Sequence, residues 1–132
     1  MPSEPRFLTV HEVIALHVIA VHQYGGAIEL IDRGKLESAV AAPMATFDGR
    51  LLNATIEEQA ASYWHGICQA HAFLDGNKRL SLFCTNVFLL MNGCRLAVTS
   101  KQGENLTMRI AKGRLTKADV ANWLKQRIKP LD

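Results

Sequence analysis

The chain has 132 residues, 48% hydrophobic and 20% charged, with a formal net charge of +3. That is enough for one domain over residues 1–132 with a single core, and too ordinary a mixture for a disordered or membrane-embedded chain. The charge is uneven: residues 101–132 hold eight Lys/Arg against three Asp/Glu, a basic third that serves either as a solvated face or as a surface for an acidic partner or nucleic acid.

The opening Met1-Pro2-Ser3-Glu4-Pro5-Arg6 has no basic stretch leading into an apolar one, so the protein is expected to be cytoplasmic. Thr9-Val10-His11-Glu12 has capping-box spacing, and Val13, Ile14, Leu16, His17 and Ala20 follow at helical intervals. A first helix of about 14 residues is predicted, stopped by Tyr24-Gly25-Gly26. His11, His17 and His22 lie on or near it and read as surface or hydrogen-bonded histidines. Asp32 caps a short helix through Leu36, Ala39 and Val40 that Pro43 ends. The stretch around Thr46, Phe47, Asp48, Gly49 and Arg50 has β-favouring residues and an Asp-Gly turn, the composition of a loop or a small hairpin.

Thr55-Ile56-Glu57-Glu58 is a second capping box, and Ile56, Ala60, Tyr63, Trp64 and Ile67 give a helix over about 56–70 one apolar face. From Asn77 to about Met91 apolar residues fall on nearly every side, as in a helix surrounded by others. Its apolar run, broken by Ser81, Thr85 and Asn86, is well short of the roughly 20 residues that span a bilayer. Asn92-Gly93 caps it. Residues 94–103 are expected to be a connection, Leu106–Ala111 a short helix ended by Gly113, and Thr116-Lys117-Ala118-Asp119 the start of a last helix with Val120, Trp123, Leu124 and Ile128 on one face. Cys68, Cys84 and Cys94 lack any Cys-x-x-Cys spacing and read as free, mostly buried thiols.

Between the two central helices lies His71-Ala72-Phe73-Leu74-Asp75-Gly76-Asn77-Lys78-Arg79. Asp75 is placed to act as N-cap, and the backbone N–H groups behind it have no intrahelical acceptors, so they face whatever anion sits before the helix. Gly76 allows close approach. Lys78 and Arg79 put cations at the helix end the macrodipole makes positive, which is unfavourable unless an anion is bound. Metal binding by His71 and Asp75 is possible by spacing, but only His65 is near enough in sequence to add a ligand.

This stretch resembles the signature of the Fic/Doc superfamily, His-x-Phe-x-Asp/Glu-Gly/Ala-Asn-Gly/Lys-Arg, and its Lys78 variant resembles the Doc (death-on-curing) toxin branch. So do Tyr24-Gly25-Gly26 through Gly34-Lys35-Leu36-Glu37-Ser38-Ala39 to Pro43, the Gly113-Arg114-Leu115 turn and Ala121-Asn122-Trp123-Leu124. The expected fold is all-α, a bundle of about six helices around a central buried one, with a flap. In the family the region of Thr46–Arg50 forms the flap on which a target peptide is laid, and the aromatic matching Phe73 anchors the loop in the core.

The resemblance implies transfer of a group from ATP to a protein hydroxyl. His71 would be the general base, since neutral imidazole accepts a proton near its ordinary pKa of about 6.5. Asp75 would hold Mg²⁺, with Gly76, Asn77, Lys78 and Arg79 on the phosphates through backbone N–H groups, the Asn77 amide and the Arg79 fork. The implied target is a translation factor, elongation factor Tu. The implied partner is an antitoxin whose disordered, often acidic tail folds onto the toxin, with nucleic acid reached only through that antitoxin. Enzymes of the family that attach AMP have glycine where this chain has Lys78, whose filled space favours presenting the γ-phosphate instead. The contrasting class is a non-catalytic module bound to a partner on DNA. The second arginine of many relatives is Leu82 here, and Ser100-Lys101-Gln102-Gly103-Glu104-Asn105 fits an autoinhibitory pattern only by chance, because Gly103 sits where that pattern needs a helix.

Overall fold

Threonine starts most of the helices. Thr9, Thr55, Thr99 and Thr116 each accept a hydrogen bond from the backbone N–H three residues on, and the side chain there (Glu12, Glu58, Gln102 or Asp119) accepts from the threonine N–H in return. Each box satisfies donors at a helix start that have no acceptor within the helix. The computed structural model describes residues 4–132. Its six helices among the described residues are α1 (Val10–Tyr24), α2 (Arg33–Ala41), α3 (Ile56–Ala70), α4 (Asn77–Met91), α5 (Ser100–Ala111) and α6 (Lys117–Leu124). The fold is all-α, and among the described residues its strands are confined to two short antiparallel pairs.

The first pair, β1 (Thr46–Phe47) and β2 (Arg50–Leu51), makes the 46–51 region a hairpin. Asp48 and Gly49 both have positive φ, 54° and 77°, the backbone twist that lets a two-residue turn join right-twisted strands. Pro43 lies in a 3₁₀ turn, Ala42–Met44, that continues directly from α2.

The core centres on α3 and α4 together. Trp64, Tyr63, Phe73 and Phe88 are its largest fully buried side chains, and α3 packs against α2, α4, α5 and α6. Around Trp64 the polar atoms are matched: Trp64 Nε1–H donates to Thr107 Oγ1 at 2.9 Å, and Thr107 donates to the Gly103 carbonyl at 2.8 Å, whereas Gln59 Oε1 and His17 Nδ1 are buried without a partner among the described residues. Ser81 and Thr85 lie buried in α4 and donate to the carbonyls of Lys78 and Ser81, so their hydroxyls enter the core already satisfied.

Three expectations are corrected. Residues 94–103 are not a simple connection: β3 (Cys94–Leu96) pairs antiparallel with β4 (Ile128–Pro130), and α5 starts at Ser100 from the Thr99 box. Ile128 therefore belongs to a strand, the helix before it having ended at Leu124. Gly103 is helical and buried, because a Cβ there would meet Leu82 Cδ2 at 3.1 Å. Close packing of α5 on α4 outweighs the propensity cost of about 1 kcal/mol that glycine carries in a helix.

Candidate active site

α3 ends on the first residue of the loop. His71 is the C-cap with φ 48° and ψ 43°, a left-handed conformation uncommon for a residue with a side chain, and its imidazole is exposed. Ala72 and Phe73 then turn inward and are buried, while Leu74 and Asp75 are exposed again.

The loop owes its shape to the segment that follows α1. Phe73 forms an antiparallel bridge with Leu30: Leu74 N–H donates to the Glu29 carbonyl at 2.9 Å, and the N–H groups of Ile31 and Asp32 donate to the Ala72 carbonyl at 2.8 and 3.0 Å. Asn77 closes it from the other side, Oδ1 accepting from Phe73 N–H at 3.1 Å and Nδ2 donating to the Phe73 carbonyl at 2.8 Å. The side-chain amide that the sequence offers to phosphate is thus engaged with the loop backbone, leaving the Asn77 N–H as that residue's donor toward an anion. Phe73 is the buried anchor of the loop, 2% exposed.

Asp75 is not the N-cap. Gly76 occupies that position with φ 81°, and α4 begins without a side-chain cap. Asp75 Oδ1 accepts from Gly76 N–H at 2.9 Å, and its Oδ2 lies 2.7 Å from where a Cβ on Gly26 would be. The first-turn N–H groups of α4 are consequently not covered by a capping oxygen, the arrangement in which a helix start binds an external anion.

Lys78 and Arg79 are exposed on that same first turn, and among the described residues neither is in an ion pair. The Arg79 guanidinium instead lies 4.6 Å from the centroid of the Tyr24 ring. Beside them opens a groove of about 760 Å³ between α1, α4 and α5, with Leu82, Phe83, Val98 and Glu104 on its walls. His71 and Asp75 do not line it, so the two cations stand at the boundary between the loop and the groove.

The histidines of α1 separate. His11 and His22 are exposed, whereas His17 is 1% exposed and lies behind the loop. Sequence reasoning assigned no role to Tyr24, Gly26 or His17 in this site. For His17 a signal was present, since it falls on the same helical face as Val13 and Ala20.

A family model described as the Fic/DOC family matches residues 7–89. The chain is similar to the "Toxin Doc" of Mycolicibacterium smegmatis (strain ATCC 700084 / mc(2)155), 36% identical over 74 residues that make up 56% of this chain and 57% of that protein. It is also similar to the "Protein kinase doc" of Escherichia phage P1, 29% identical over 121 residues, 92% of this chain and 94% of that one. The first match spans little more than half of its relative, and the second runs nearly end to end. With the family model covering well over half of the chain, including the whole loop from His71 to Arg79, the protein belongs to the Fic/DOC family.

Proposed function

We propose that this protein is the toxin of a toxin–antitoxin pair and transfers the γ-phosphoryl group of ATP to a Ser or Thr hydroxyl of a translation factor, elongation factor Tu by resemblance, arresting translation. The observation that carries this reading is the start of α4, where the helix has no side-chain cap and Lys78 and Arg79 stand exposed on the first turn. Two similar proteins named as a toxin and as a protein kinase support it.

His71 accepts the proton of the target hydroxyl, the hydroxyl oxygen forms a bond to the γ-phosphorus, and the bond to the leaving ADP breaks. The N–H groups of Asn77 and Lys78 and the Arg79 fork hold and neutralise the phosphates, and Gly76, whose own N–H is engaged by Asp75, lets them approach the backbone closely. Asp75 fits Mg²⁺ as a single exposed carboxylate beside an anion site, the way that ion is commonly held, with phosphates completing its shell. Bound there, the ion would supply positive charge against the charge that develops on the transferred phosphoryl group. The exposed hairpin of Thr46, Phe47, Asp48, Gly49 and Arg50 would hold the target segment by strand addition.

An antitoxin with a disordered acidic tail is the expected partner, docking on the basic C-terminal third, and would be the only link to nucleic acid. Lys112, Lys117 and Lys125 are all exposed there, and the Lys117 ammonium also donates to Ser62 Oγ at 3.2 Å, where partial desolvation lowers its pKa. Reversing Lys112 and Lys125 should weaken antitoxin binding and flatten its salt dependence.

Parallel incubation of a lysate with α-labelled and γ-labelled ATP tests the chemistry. Label transferred only from γ-labelled ATP, and lost in His71→Ala, is the expected result. Label from α-labelled ATP would establish AMP transfer, and none from either would leave the non-catalytic module. Lys78→Gly should lose γ-transfer, and any AMP transfer it gains would make that side chain the determinant of nucleotide orientation.

A further inference from the structure

His17 is the one histidine of α1 that faces the core, and it touches three separate parts of the site. Its Nε2 is 3.0 Å from the Ala27 carbonyl, so Nε2 carries the proton and donates. Its ring lies 4.0 Å, centroid to centroid, from that of Phe73, tilted by 35°. Its Cε1 is 3.1 Å, and its Nδ1 3.8 Å, from the place a Cβ on Gly76 would occupy. Nδ1 is buried and has no hydrogen-bond partner among the protein groups.

We infer that His17 is a positioning residue that sets the Gly26–Ile31 segment in register with the 71–76 loop, and through it the place of the Asp75 carboxylate. The path is short. The Ala27 carbonyl held by His17 belongs to the residue after Gly26, and the bare backbone of Gly26 is what Asp75 Oδ2 rests against. From Glu29 to Asp32 the same segment exchanges three backbone hydrogen bonds with Ala72 and Leu74. The Cε1 edge of the imidazole meanwhile lies where a side chain on Gly76 would go, and the left-handed backbone of Gly76 starts α4. A plain apolar side chain would fill the space but leave the Ala27 carbonyl unheld, which makes a histidine at a core position intelligible. Bonds that orient metal-holding groups from behind typically change affinity or rate about 10- to 100-fold when removed.

This inference rests on the proposed transfer reaction for its kinetic reading and not for its structural one. His17→Phe keeps a ring against Phe73 and loses the donor; His17→Gln keeps a donor within reach of Ala27 and loses the ring; His17→Leu loses both. In the transfer assay His17→Phe should raise the Mg²⁺ concentration needed for half-maximal rate by about 10-fold or more, with His17→Gln nearer to wild type. In parallel, ¹⁵N NMR of the wild type should find the His17 proton on Nε2, and the Gly26, Asp75 and Gly76 amides should shift and exchange faster in His17→Phe than in His17→Gln. A proton on Nδ1, or Phe and Gln variants indistinguishable in those amides, would overturn the inference. Absence of transfer in the wild type would sink the proposed reaction alone, since the NMR arm needs neither ATP nor Mg²⁺.

Discussion

The guanidinium of Arg79 rests on the ring of Tyr24, 4.6 Å from its centroid, across the gap between the end of α1 and the start of α4. A cation on an exposed aromatic face is held by about 0.5–1 kcal/mol. The contact keeps Arg79 beside the first-turn N–H groups of α4 before any anion arrives. Tyr24→Leu should therefore raise the KM for ATP by roughly two- to fivefold, the factor those energies convert to. Tyr24→Phe should leave it unchanged, and steady-state kinetics of the two variants decide the matter.

Two neighbouring glycines separate backbone strain from site disruption. Gly25 and Gly26 both have positive φ, 85° and 104°, but a Cβ on Gly25 meets nothing within 4 Å whereas one on Gly26 would meet Asp75 Oδ2 at 2.7 Å. Each alanine variant should lose about 1–3 kcal/mol to strain. Only Gly26→Ala should also lose phosphoryl transfer, by displacing the carboxylate. Urea melts paired with transfer rates read both effects.

Tyr63 is a purely structural case. Its buried hydroxyl accepts from the Leu8 N–H at 2.8 Å, and burial pushes its pKa well up, so the hydroxyl stays protonated. Tyr63→Phe strands the Leu8 donor and should cost about 1–3 kcal/mol in urea unfolding with transfer activity intact.

The α3 capping box brings a pH dependence. Hydrogen bonds from the Thr55 N–H and hydroxyl hold the Glu58 pKa below its ordinary 4.5. A lowered folded-state pKa contributes stability above the unfolded value and loses it as pH falls through the folded one. Thermal melts from pH 6 down to pH 3 should thus show a steeper loss, beginning below about 4.5, in the wild type than in Glu58→Gln, which keeps the box without the charge.

Helices with local start signals were legible in the sequence, since a capping box and an apolar face are both written within a few residues. α1, α2, α3 and α4 fall close to their expected limits, as does the hairpin turn at Asp48-Gly49. α5 was missed at its start because Gly103 argues against a helix until Leu82 is seen lying against it. The β3–β4 pair joins residues too far apart in sequence for any local pattern to announce. In the site, the cations beside the helix start were readable from the loop itself, and the burial of Phe73 agrees with what the resemblance implied. Gly26, Tyr24 and His17 reach the loop from an earlier part of the chain; the spacing of His17 with Val13 and Ala20 marks it as buried, but no local pattern announces which part of the chain any of the three meets.

Asn92, the C-cap of α4, holds both the N–H and the carbonyl of Arg6, at 2.9 and 3.0 Å, and Leu131 N–H donates to the Gly93 carbonyl at 3.1 Å. Both outer segments of the described chain are thereby moored at the opposite end of α4 from the His71 loop. A 15-residue helix puts about 22 Å between those ends at 1.5 Å per residue. Dyes or surface tethers attached near either mooring would stand clear of the chemistry, so immobilised or fluorescent forms of this protein should retain the activity of the untagged one.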